Sequence, residues 1–173
     1  MSICNFYFTI ADIATAKADV IVNAANGWGY MGGEKARKGL LSGVAESLNY
    51  ATKGEMEAYT LQKARRFEKI PSFLFGKHCG EIFLSPPFGL NCYEVIHAVT
   101  VRSPGSRSNL KTICILANAI YTYCRETGHH TVAIPMLGAG TGGLDECEVE
   151  KIISKTAILF PELSVRIYSK AED

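Results

Sequence analysis

Two short, unbroken apolar runs, Val20-Ile21-Val22 and Val132-Ala133-Ile134-Pro135-Met136-Leu137, each lead directly into a glycine-rich segment. Strands that are apolar at every position are buried on both faces, the condition of a parallel sheet covered by helices. Such a sheet needs helical crossovers, and the remaining sequence supplies them. Ala36, Leu40, Leu41, Val44 and Leu48 recur at helical spacing after the first glycine segment. Leu110, Ile113, Cys114, Ala117, Ile120, Tyr121 and Cys124 describe a second stripe, closed by Gly128 at the C-cap position. Val149, Ile152, Ile153, Thr156, Ala157 and Phe160 describe a third, capped by Asp145 with Glu148 and stopped by Pro161. Thr52 and Glu55 form a capping-box pattern opening a further helix through about Arg66. Phe6, Phe8 and Ile10 alternate with Tyr7 and Thr9 as in a half-buried edge strand, and residues 81–85, 95–101 and 165–168 read as further strands. Pro135 lacks an amide hydrogen and belongs near a strand end or an unpaired side. The alternation predicts one domain over residues 1–173, of α/β class, with a mixed sheet between helical layers.

Composition narrows the partners. A net charge of +1 gives no general attraction to nucleic acid or anionic lipid, so an anion site has to be local. No 18-residue apolar span occurs, and the N-terminus lacks the charged and apolar regions of a signal peptide. A cytoplasmic protein that stays off membranes, acts as a monomer and needs no cofactor is expected. Cys4, Cys79, Cys92, Cys114, Cys124 and Cys147 contain no C-x-x-C pair and read as reduced structural thiols. His78-Cys79 with Cys92 fits no standard zinc spacing, so no metal is expected. Lys63, Arg65, Arg66 and Lys69, with Arg102 and Arg107, offer a basic surface for nucleic acid. A solvated helix face is the preferred reading, on the ground that no aromatic residues interleave with these charges.

The chemistry resides in the glycine segments. The first runs Asn23-Ala24-Ala25-Asn26-Gly27-Trp28-Gly29-Tyr30-Met31-Gly32-Gly33, the second Gly138-Ala139-Gly140-Thr141-Gly142-Gly143. Glycines let backbone amides surround an anion, and ligands of open α/β sheets bind outside the carboxyl ends of strands. The second segment contains G-x-G-x-x-G, but a dinucleotide fingerprint opens the first βαβ unit, and here only one strand remains. Asn23 and Asn26 carry amides able to bond sugar hydroxyls.

Taken together, these residues resemble the macro domain family. Asp19-Val20-Ile21-Val22-Asn23-Ala24-Ala25-Asn26 is similar to its "D-A-I-V-N-A-A-N" strand, and Val95-Ile96-His97-Ala98-Val99 to its "V-I-H-x-V" strand. Residues 133–143 are similar to its "A-x-P-x-x-[SG]-x-G-x-x-G" loop, and Ala11-Asp12-Ile13 stands where the family has "G-D-I". The resemblance implies a three-layer α/β/α sandwich that binds ADP-ribose or a mono-ADP-ribosylated protein. It implies that Asp12 accepts from the adenine amino group beside Ile13, that Asn26 (with Asn23) meets the distal ribose, and that Gly32 and Gly33 approach the diphosphate. Gly138, Ala139, Gly140, Thr141, Gly142 and Gly143 would wrap the phosphates, and Tyr168 would lie against adenine. The family's hydrolases carry "G-G-G-V-D", whereas this chain has Gly32-Gly33-Glu34-Lys35-Ala36. A subgroup that works through a loop lysine and a second-loop aspartate would find Lys35, but Gly142 or Gly143 in place of the aspartate. A binding module is therefore expected first. A hydrolase using Glu34 or Lys35, with slow turnover, is the alternative, and a nucleic-acid binder the third reading. The family's helix after the last strand has no counterpart in a sequence ending at Asp173.

Overall fold

A computed structural model describes residues 5–41 and 43–170, so Cys4 falls outside the described residues. Within them the strands are β1 (Phe6–Ile10), β2 (Val20–Asn26), β3 (Ile82–Ser85), β4 (Glu94–Val101), β5 (Thr131–Pro135) and β6 (Ser164–Ser169). They join in one sheet in the order β1-β6-β5-β2-β4-β3. Every neighbouring pair is parallel except β3 with β4. Five carboxyl ends therefore lie along one edge of the sheet.

The helices are α1 (Gly33–Arg37), α2 (Val44–Ala51), α3 (Glu55–Lys63), α4 (Leu110–Thr127) and α5 (Glu146–Ile158). Successive strand residues face opposite ways, and β2 feeds both layers. Val20 and Val22 pack with Ile113, Leu116, Ile120, Val149 and Ile153 of α4 and α5, while Ile21 packs with Leu48 of α2 and Met56 of α3. The result is the expected α/β/α sandwich. No helix among the described residues is long and apolar enough to cross a membrane.

Local chemistry explains where the elements depart from expectation. β2 continues through Asn26 rather than ending at Asn23, pairing with β4 along the added length. The single helix expected across residues 36–48 is two. Gly39 turns at φ +86°, Leu40 is exposed, and Gly43 precedes a fresh start at Val44. The capping box does not form. Thr52 Oγ1 instead donates back to the Leu48 carbonyl at 2.8 Å, and Gly54, at φ +86°, begins α3. On α4 the inner stripe uses Leu116, and Cys114 faces solvent. The caps at Asn109, Gly128 and Asp145 are formed, the first and last accepting from the Thr112 and Glu148 amides. β5 stops at Pro135, which stands opposite Tyr168 of β6 at the strand's end.

Gly27 ties three segments together at the carboxyl edge. Its amide donates to the Val101 carbonyl at 2.9 Å and its carbonyl accepts from Lys77 N at 2.9 Å. A methyl built there would lie 2.2 Å from the Lys77 carbonyl oxygen and 2.7 Å from that of Arg102. These are backbone atoms, which cannot swing aside. Gly27→Ala is expected to destabilise the fold by about 1–3 kcal/mol in urea unfolding; an unchanged midpoint would show that the edge relaxes freely.

Candidate functional site

A cleft of about 270 Å³ crosses the sheet's carboxyl edge. It is lined at one end by Asp12 and Ile13 after β1 and Tyr168 at the end of β6, and at the other by Asn26, Tyr30 and Thr100 beside β2 and β4. Between them, after the central strand β5, lie Gly138, Gly140, Thr141 and Gly142. Four inter-strand gaps of ~4.8 Å make this row ~19 Å long.

The second glycine loop is built to leave amides free. Three of its turns are closed internally, Ala139 N donating to Met136 O, Gly143 N to Gly140 O and Leu144 N to Gly138 O. Ser108 N fastens the loop from outside by donating to Gly142 O at 3.0 Å. The amides of Gly140, Thr141 and Gly142 find no acceptor among the described residues, and all three residues face the cleft. Gly140 and Thr141 are exposed and Gly142 is buried; successive free amides turned toward one cleft form an anion-binding concavity. Ala139 and Gly143 shape the loop without lining the cleft; Arg107 Nη1 would stand 3.2 Å from a methyl built on Gly143.

The first loop is arranged in the opposite way. Asn26 Oδ1 accepts from the amides of Trp28 (3.1 Å) and Tyr30 (3.2 Å), and its Nδ2 donates to the Tyr30 carbonyl. Glu57, buried on α3, accepts from Met31 N at 2.7 Å and Gly33 N at 2.9 Å. The Arg37 guanidinium and Asn49 Nδ2 bond its other oxygen. Gly32 and Gly33 were expected to approach a ligand anion, yet neither lines the cleft, and the Gly33 amide is already held by an internal carboxylate. Glu34 and Lys35 do not line the cleft either. Both are exposed on α1, outside the cleft, with Glu34 paired to Lys38 at 2.6 Å.

The helix start that does reach the cleft is α2. Gly43, Val44, Ala45, Glu46 and Ser47 line it, and sequence reasoning missed them as site residues. The available signal was Gly43 directly before the Val44–Leu48 spacing, a second glycine-to-helix step ten residues after the first. Ser47 also fixes Asp12, donating its hydroxyl to Oδ1 at 2.6 Å and to Oδ2. Asp12 further caps the short 3₁₀ turn Ile13–Thr15 by accepting from Ala14 N.

Asn23 belongs to the interior. It sits opposite His97 in the β2–β4 register, buried, with Nδ2 donating to His97 Nδ1 at 3.0 Å. The ring proton then lies on Nε2 and is donated to Ser85 Oγ at 2.8 Å, whose hydroxyl donates to the Pro86 carbonyl. Phe83 stacks on the imidazole at 4.8 Å. No cluster of three or more metal-ligating side chains occurs among the described residues.

Comparison with known proteins follows the same lines. The Macro domain family model matches residues 22–153. An uncharacterized protein of Aeropyrum pernix is 30% identical over 143 residues, which make up 83% of this chain and 65% of that protein. This chain therefore spans just under two thirds of that relative. The macrodomain of Mycobacterium tuberculosis DarG superposes with a TM-score of 0.76 at 23% identity, covering 96% of this chain and 98% of that one. A Trypanosoma brucei macrodomain in complex with ADP-ribose superposes at 0.73 with 16% identity, covering 97% and 64%.

Burial pushes the His97 imidazole down to about 3 from 6.5. A folded pKa below the unfolded one means that the unfolded chain takes up the proton first. The contribution of neutral His97 is whole above pH 6.5 and is lost as pH falls from there toward 3, by at most about 1.4 kcal/mol per pH unit. Urea midpoints followed by circular dichroism are expected to drop more steeply below pH 6.5 in the parent than in His97→Gln. Parallel curves would assign the acid sensitivity to other groups.

Proposed function

This chain belongs to the macro domain family, and on that premise we propose that it binds ADP-ribose, free or carried on a protein. The order of groups along the cleft carries the reading. A carboxylate and an aromatic ring stand at one end, free amides in the middle and an asparagine at the other end, matching adenosine, diphosphate and distal ribose in sequence. Asp12 already accepts from Ala14 and Ser47, but a carboxylate has about four acceptor sites, leaving capacity for an adenine amino group with Tyr168 beside it. The amides of Gly140, Thr141 and Gly142 take the diphosphate, assisted by the N-terminus of α2. Asn26 and Tyr30 border the distal ribose. The T. brucei macrodomain holds ADP-ribose in this fold, which supports the assignment.

Calorimetric titration is expected to show ADP-ribose binding far more tightly than NAD or AMP; equal affinity for NAD would overturn the reading. Gly140 provides the sharper probe, because a methyl built on it meets nothing within 4 Å. Gly140→Val therefore adds bulk at a cleft-lining residue without straining the protein. It is expected to lose about tenfold or more in affinity, 1.4 kcal/mol or above, at an unchanged melting temperature.

A hydrolase reading draws on Glu46, a carboxylate in the cleft that makes no ion pair among the described residues. A carboxylate there can orient water against the anomeric carbon, although the absence of an aspartate from Gly32-Gly33-Glu34-Lys35-Ala36 argues for slow turnover. Release of ADP-ribose from a mono-ADP-ribosylated protein is expected to be slow or absent. Any turnover should fall about 100-fold or more in Glu46→Gln and persist in Glu34→Ala and Lys35→Ala.

A further inference from the structure

Aromatic residues do interleave with the cations between α3 and β3. Phe67, Phe73, Leu74 and Phe75 are 54%, 58%, 54% and 51% exposed. The rings form two edge-on pairs, Phe67 with Phe75 at 5.8 Å and Phe73 with Trp28 at 6.3 Å, and the three phenylalanines stay more than half exposed within them. Arg65, Lys69, Lys77 and Arg102 accompany them and make no ion pair among the described residues. The acids of this stretch are Glu68 and Glu81, and Glu81 is engaged by Arg66 at 2.6 Å and by the His78 amide. A chain of net charge +1 thus places several unpaired cations beside a group of exposed aromatic residues.

We propose that this face is a binding surface for single-stranded nucleic acid, separate from the cleft. Exposed apolar area alone would fit any protein partner. Cations set among exposed aromatic rings fit a chain of phosphates bearing unpaired planar bases. A duplex hides the faces of its bases, and this surface presents a loop and a turn rather than a helix able to enter a groove. The surface also adjoins the cleft. Trp28 is two residues beyond Asn26, and Arg102 follows directly on Val101 at the cleft's β4 end.

The test is fluorescence anisotropy with a labelled oligothymidylate of about 15 nucleotides and a duplex of equal length, at about 50 mM salt. The single strand is expected to bind and the duplex to bind more weakly. The combined variant Phe67→Ala, Phe73→Ala, Phe75→Ala should lose about tenfold or more in affinity. Arg65→Ala with Lys69→Ala should flatten the slope of log affinity against log salt by about 0.7 for each phosphate no longer neutralised. Calorimetry with ADP-ribose should be unchanged in both variants, which separates this surface from the cleft. Absence of single-strand binding, equal affinity for duplex, or full affinity in the phenylalanine variant would each overturn the proposal. Self-association of the parent that vanishes in that variant, without oligonucleotide binding, would overturn it in favour of an interface between copies.

Discussion

A backbone amide that leaves a buried parallel sheet must find an acceptor, because little water reaches it and an unpaired one costs as much as a lost hydrogen bond. The two glycine loops at the carboxyl edge meet this demand in opposite ways. After β2, the chain supplies its own acceptors: Asn26 serves Trp28 and Tyr30, and Glu57 serves Met31 and Gly33. After β5, it supplies none for Gly140, Thr141 and Gly142. The first loop is therefore a finished wall, and the second, with Gly140 and Thr141 exposed and only Gly142 buried, is a socket whose acceptors come from solvent or a ligand. The asymmetry places the free amides after the central strand β5, between Asp12 and Tyr168 at one end of the cleft and Asn26 at the other.

Much of this was legible in the sequence. Doubly buried runs implied a parallel sheet, helical periodicity placed α4 and α5, and strand-to-glycine junctions marked both loops. The directions of side chains were less legible. Asn23 looked like a ligand residue because the strand was expected to end there. Once β2 continues, the period of two puts Asn23 on the face of Ile21, inside the protein and opposite His97. Glu57 was invisible as a loop anchor, since an acid in the first turn of a helix ordinarily complements the dipole, and its amide partners lie 24 and 26 residues away.

The duplicated glycine-to-helix step explains why α1, rather than α2, looked like the helix that meets the ligand. Gly32-Gly33 and Gly43-Val44 both satisfy the local rule for a loop entering a helix, and nothing within ten residues distinguishes them. Packing does. α2 contributes Leu48 to the core and turns its first residues into the cleft, whereas α1 buries Ala36 and otherwise faces solvent. Tertiary context decided between two locally equivalent signals, as it did at Thr52, where back-bonding to the preceding helix won over capping the next.

The attachment of α1 has an evolutionary consequence. This five-residue helix is tied to the domain by fully buried Ala36 and by Glu57, which accepts from the Gly33 amide and pairs with Arg37, while the sheet is held by its own ladders and two apolar layers. Selection for foldability therefore acts on Ala36 and Arg37 and hardly at all on the exposed Glu34, Lys35 and Lys38 beside them. Those three positions are free parameters of the architecture, which a lineage can recharge without first acquiring compensating changes in the core.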